Sequence, residues 1–177
     1  MIESLVSIAI FTFSVLGIMV VLGQNIADVN YTQKKMLAAY LAQEGVEYMR
    51  NIRDTQMLYS GTSQEGWDDF NTLLLASACQ ESDGCYFDDQ NLDFESTLLP
   101  IINIDFYECN GDCAEILYDS SSGKYGYGAG ESSGFVRQIR SNMVSANETE
   151  IFSTVTWGHG LGSYSITFSE KLSNWIE

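Results

Sequence analysis

Three groups of residues have the types and spacing to do chemistry. The first is a lone carboxylate, Glu3, at the head of the apolar run "MIESLVSIAIFTFSVLGIMVVLG". Inside hydrocarbon an ionised carboxylate costs about 3 kcal/mol or more, so Glu3 calls for a cationic partner. The second group is four cysteines in two tight clusters, "CQESDGC" (Cys79, Cys85) and "CNGDC" (Cys109, Cys113), remote in sequence from the lone His159. Structural zinc takes two-residue cysteine spacings or nearby imidazoles, so the thiols read as disulfides. Each cluster can close a local loop, and at this level all three connectivities stand open. The third group is "DDQNLDFE", which sets Asp89, Asn91, Asp93 and Glu95 at alternating positions, like the opening of an oxygen-ligand loop for calcium. The sixth position of such a loop takes Gly and here holds Phe94, so a solvated acidic loop is the competing reading.

Other signatures fail on inspection. The glycines of "GKYGYGAG" lack the Lys-Ser/Thr ending of a phosphate-binding loop, and no Cys/His or Ser/His/Asp grouping can be argued, so the chain reads as a non-enzyme. Of the two glycosylation sequons, "NYT" at Asn30 falls on a helix and "NET" at Asn147 is the better candidate. Net charge is −16, and from Asp54 through Gly123 there are fifteen Asp and Glu with no Lys or Arg. Such a surface repels nucleic-acid phosphate and anionic lipid, so direct DNA binding is not expected. It suits either plain solvation or a divalent cation.

The elements that must position these groups follow from periodicity. No charged residue lies between Glu3 and Asp28, and at about 1.5 Å per residue that stretch crosses a bilayer of about 30 Å. The helical pattern continues through Ile26, Val29, Met36, Leu37, Tyr40, Leu41 and Met49, predicting one helix to about Asp54. Glu47 with Arg50 and Arg50 with Asp54 are spaced to brace it. A short polar break, "TQMLYSGTSQEG", precedes "WDDFNTLLLASA", an amphipathic helix on Trp67, Phe70, Leu74 and Ala78 with Asp68 and Asp69 in its first turn. Residues 79–99 show no period and read as an irregular disulfide-tied loop. "IINIDFYE", "EILYD", "FVRQIR", "IFSTVTW" and "SYSITFS" read as strands, and "TVTWGHGLGSYSITF" as a hairpin with a longer loop. The expected fold class is α+β: a long N-terminal helix packed against a C-terminal antiparallel sheet. Its parts are 1–27 (membrane-spanning), 28–54 (amphipathic half of the same helix) and 55–177 (globular domain).

With these residues in view, "MIESLVSIAIF" resembles the N-terminal segment of type IV pilins and pseudopilins, in which a glutamate heads an apolar helix that runs on into a small α+β domain. "LAQEGVEYMRNIRD" and the tail residues Val155–Trp157 and Leu172–Trp175 are similar to bacterial pilins of this kind. The family has four residues ahead of its glutamate, beginning with an N-methylated Phe exposed by a prepilin peptidase; here Met1 and Ile2 precede Glu3, and the resemblance implies a processed chain that begins upstream of this sequence. It further implies that Glu3 is a docking group, neutralised by the N-terminal amine of a neighbouring subunit. Leu5, Ile8, Phe11, Val15, Gly17 and Gly23 would line the helical core of a homo-oligomeric filament. The expected function is a structural subunit of an extracellular type IV pilus, or fimbrium, for adhesion, twitching motility or DNA uptake. Such a subunit waits in the cytoplasmic membrane and is assembled by the pilus machinery. A minor pilin or type II secretion pseudopilin is the alternative within the family, and a single-pass anchored binding domain that never polymerises is the alternative outside it. No cofactor is implied beyond the calcium reading.

Overall fold

In a computed structural model, residues 2–88, 106–160 and 162–175 are described, the side chain of Ala27 excepted. The chain forms two compact units, Met1–Leu37 and Ala38–Glu177. The first consists of the opening part of one helix, α1 (Ile2–Tyr59). That helix outruns the expected end at Asp54 because its last turn is anchored: Met57 is buried and Ser60 donates its N–H to the Gln56 carbonyl at 3.1 Å.

The second unit is α+β, with the later turns of α1 and a second helix against an antiparallel sheet that has seven strands among the described residues. Helix α2 (Ser63–Ala76) starts four residues before Trp67, where Thr62 caps it by accepting the Glu65 N–H at 3.2 Å. Asp68 and Asp69 therefore sit in its second turn, and Ala78 lies past its end at a positive φ of 56°. The polar break shrinks to Ser60–Thr62, since both flanking helices extend into it.

The strands are β1 (Cys85–Phe87), β2 (Phe106–Glu108), β3 (Glu115–Asp119), β4 (Lys124–Gly126), β5 (Glu131–Ser145), β6 (Glu148–His159) and β7 (Gly162–Ser173). β5 is the spine. It pairs along one edge with β6, which pairs with β7; its other edge is shared by β3, backed by β4, and β1, backed by β2. Residues 79–88 are thus partly strand, because Cys85 pairs opposite Ile139 of β5. The β6–β7 hairpin is tighter than its glycines suggested: Gly158 and Gly162 stay in the ladder, opposite Ser163 and His159, so His159 is a strand residue.

Strand parity sorts the faces. Phe135, Arg137, Ile139 and Ser141 of β5 and Thr149, Ile151, Ser153, Val155 and Trp157 of β6 are all buried against the helices. The matching stripe on α1 is Ala38, Leu41, Ala42, Val46, Met49 and Ile52. Of the stripe expected from sequence, Ile26, Val29, Met36 and Tyr40 are exposed, whereas Leu41 and Met49 are buried. Small residues set the buried face because the helix lies close on the sheet: a Cβ at Gly45 would come within 2.5 Å of the Ser153 hydroxyl. α2 adds Trp67, Phe70 and Leu74, which join Met49, Ile52, Phe87, Ile139, Ile151 and Leu172 in one core.

Candidate functional site: the opening turns of the N-terminal helix

The residues of α1 from Ile2 to Ile26 carry exposed apolar side chains all the way round. Leu5, Ile8 and Phe11 are 67, 61 and 69 % exposed, and Leu16, Ile18, Met19, Val20, Val21 and Leu22 are each more than half exposed. Val15 is half-buried. Gly17 and Gly23 lie within the helix, and a Cβ at either would touch nothing. A helix that is apolar on every side belongs in a membrane or within a bundle of other helices. By length and composition α1 can cross a membrane.

Three hydroxyls in this stretch turn inward on the helix itself. Ser7 donates its hydroxyl to the Glu3 carbonyl at 2.9 Å, Thr12 to the Ile8 and Ala9 carbonyls at 3.0 and 2.9 Å, and Ser14 to the Ile10 carbonyl at 2.8 Å. Each hydroxyl is thereby satisfied without water, as an apolar surrounding demands. Glu3, in the first turn, is the one ionisable side chain before Asp28. Its place at the helix N-terminus is electrostatically favourable, worth about 0.3–1 kcal/mol, which is too little to offset burial of the charge in hydrocarbon.

Both cysteine clusters close locally. Cys79 bonds Cys85 with Cα atoms 4.7 Å apart, and Cys109 bonds Cys113 at 4.4 Å. The first bridge lies in the core rather than on a loosely held surface: both its cysteines are fully buried, and the Cys79 carbonyl accepts the Ser141 N–H at 2.8 Å. It ties the end of α2 to β1 and β5. The second spans the turn between β2 and β3. The calcium reading of Asp89, Asn91, Asp93 and Glu95 falls outside the described residues; among those described, no three His, Cys, Asp or Glu side chains converge on a metal position. Asn147 is exposed in the β5–β6 turn, while Thr149 of its sequon is fully buried and donates to the Asn71 side-chain oxygen at 2.6 Å.

The most consequential polar residue in the second unit went unremarked in the sequence. Arg137 is 2 % exposed; it reaches Glu44 at 3.1 Å and the Leu41 carbonyl at 3.5 Å, and its guanidinium lies 5.0 Å from the centre of the Phe87 ring. The signal was available in "FVRQIR", where alternation places Arg137 on the same face as Phe135 and Ile139. Nearby, Arg50 binds Glu47 at 2.7 Å as its spacing suggested, but its second partner is Glu170 of β7; Asp54 pairs with Arg53 at 2.6 Å. Glu170 holds the Arg50 guanidinium charged still more firmly than usual.

No protein-family model, no curated protein and no solved structure matches this chain.

Proposed function

We propose that the chain is a structural subunit of an extracellular type IV pilus, held in the membrane by the first turns of α1 and polymerising through them. The observation that carries this reading is a helix apolar on every side, headed by one carboxylate and continuing into the α+β unit that it helps to build. In a plain membrane anchor an acid at the helix head is a liability. In a filament it gains a purpose, because a neighbour's N-terminal amine neutralises it as both leave the lipid. Glu3 then sets the axial register of one subunit against the next, while Leu5, Ile8, Phe11 and Val15 pack among equivalent side chains. The two disulfides suit an oxidising, extracytoplasmic setting. The subunit catalyses nothing in this scheme.

Electron microscopy of sheared surface filaments, with mass spectrometry of the subunit N-terminus, tests the proposal. Filaments built mainly of this chain, with a methylated processed terminus, are the expected result. Chain recovered solely as membrane-embedded monomer would favour an anchored, non-polymerising domain. Detection at trace levels within filaments of another protein would make it a minor pilin or a secretion pseudopilin.

A further inference from the structure

Among the described residues, strand β7 closes one side of the sheet. It pairs with β6 through all 12 of its residues, from Gly162 opposite His159 to Ser173 opposite Glu148, and among the described residues it pairs with no other strand. Its outer row of N–H and C=O groups is left for solvent or for another strand. Proteins ordinarily blunt such an edge with charge, proline or a bulge. From Gly162 to Ser169 β7 has none of these: the register runs without a shift, and the described residues "GSYSITFS" carry no charge. The first charges, Glu170 and Lys171, are engaged with Arg50 and with Glu148. On the face shared with the core, Tyr164 and Phe168 are 40 and 39 % exposed, although Trp157 and Ser153 opposite them on β6 are buried.

We propose that this edge pairs with the same edge of a second copy of the chain, antiparallel, about a two-fold axis through Ile166. An axis on a residue keeps the apolar faces of the two sheets on one side; an axis between residues would turn one copy over and break that face. Centring on Ile166 sets Tyr164 opposite the partner's Phe168 and Ile166 opposite the partner's Ile166. A centre at Ser165 would leave Phe168 opposite the partner's Gly162, and a centre at Thr167 would set Tyr164 against the partner's Glu170. Charge also selects the occupant. Two chains of net charge −16 repel over most of their surface, and this uncharged stretch of β7 lets them meet with no acid facing an acid. A cationic partner would find no counter-charge there.

A two-fold contact of this kind closes after two copies and cannot propagate along a filament whose neighbours are related by a screw operation. It therefore joins chains of two separate filaments, or two unassembled chains, and it stands whether or not the filament reading holds.

Full-length chain in detergent micelles provides the test. All four native cysteines are in disulfides, so an introduced thiol is unique. Ser165 and Thr167 are exposed on the outward face of β7, and the proposed register sets Ser165 opposite the partner's Thr167. Directly opposite Cβ atoms stand about 5 Å apart and diagonal ones about 7–8 Å, so oxidising a mixture of Ser165→Cys and Thr167→Cys chains should give about tenfold more dimer than either alone. Ile166→Lys in both chains, with the fold checked by circular dichroism, places two ammonium groups together at the axis and should remove that dimer. Equal crosslinking in all three reactions would overturn the proposal, since association through α1 alone brings every pair together indiscriminately. So would the absence of a mixed dimer, or one indifferent to Ile166→Lys.

Discussion

Glu3 and Arg137 are both charges set among apolar residues of their own elements, and only Arg137 is buried. Arg137 finds its partner within the chain, in Glu44, the Leu41 carbonyl and the Phe87 ring. A buried pair of this kind contributes little net stability, yet breaking it leaves an uncompensated charge. Glu44→Gln should therefore cost about 2 kcal/mol, moderated by the partial exposure of Glu44, whereas Arg137→Met should cost less than about 1 kcal/mol because methionine fills the space uncharged. Denaturant midpoints for the two variants check this ordering, and the reverse order would refute it. Glu3, on the proposed reading, finds its partner in a second chain. Glu3→Ala should leave the α+β unit folded and the chain membrane-inserted while cutting filament yield severely, and Glu3→Gln should do the same with the side-chain shape retained. Filaments in normal number from the alanine variant would remove the docking role.

Among the elements, the two disulfide-closed turns invite direct comparison. Closing loops of sequence separation 6 and 4 constrains the unfolded chain by about 2 kcal/mol in each case. Replacing Cys79 and Cys85 together by alanine also opens the core and should cost about 1–2 kcal/mol more than the same change at Cys109 and Cys113. Equal losses in thermal unfolding would contradict the core placement of the first bridge. Helix α2 crosses the end of α1 so closely that a Cβ at Gly66 would stand 2.4 Å from the Gln56 carbonyl oxygen, and Gly66→Ala should destabilise by about 2 kcal/mol through overpacking. In the β3–β4 hairpin, Ser121 and Ser122 donate to the Asp119 carboxylate and pull its pKa down to about 2; Ser132 and the Gly134 N–H likewise lower that of Glu115 at the β3–β5 irregularity. Depressed carboxylate pKa values stabilise the folded form above the unfolded value, about 4, and that contribution fades as pH falls through the folded one. NMR titration should find Asp119 still ionised near pH 3, and Ser121→Ala should move its midpoint upward; an ordinary midpoint in the parent chain would discount the hydroxyl contacts.

At the scale of the whole molecule, charge governs partners. Beyond α1 the bases are Lys124, Arg137, Arg140 and Lys171. Arg137 is buried on Glu44 and Lys171 is held by Glu148, which leaves Lys124 and Arg140 as exposed cations outside these pairs. Duplex binding needs several basic groups placed to release counterions. Assembled subunits should show no mobility shift with duplex DNA at physiological salt, and a complex with a steep salt dependence would prove this wrong. Calcium adds a separate question at this scale. A bound ion should raise the melting temperature at millimolar concentration, and neutralising Asp89 and Asp93 should abolish the rise. An unchanged melting temperature would leave the acidic stretch as solvated surface.

Local periodicity and residue chemistry were enough to read the apolar opening helix with its single acid, the α+β class and the strand "EILYD" residue for residue. These properties depend on neighbours a few positions apart, where side-chain direction follows from backbone repeat alone. Tertiary contact decided the rest. The buried face of α1 follows Ala38, Ala42 and Gly45 because a close-lying sheet selects small residues, whereas sequence hydrophobicity favoured Met36 and Tyr40. The glycines of the last hairpin read as loop until a long ladder absorbed Gly158 and Gly162. Strand order was equally beyond the sequence. Which strand lies at an edge depends on pairings between residues far apart in the chain, and among the described residues that is what left β7 paired along one edge alone.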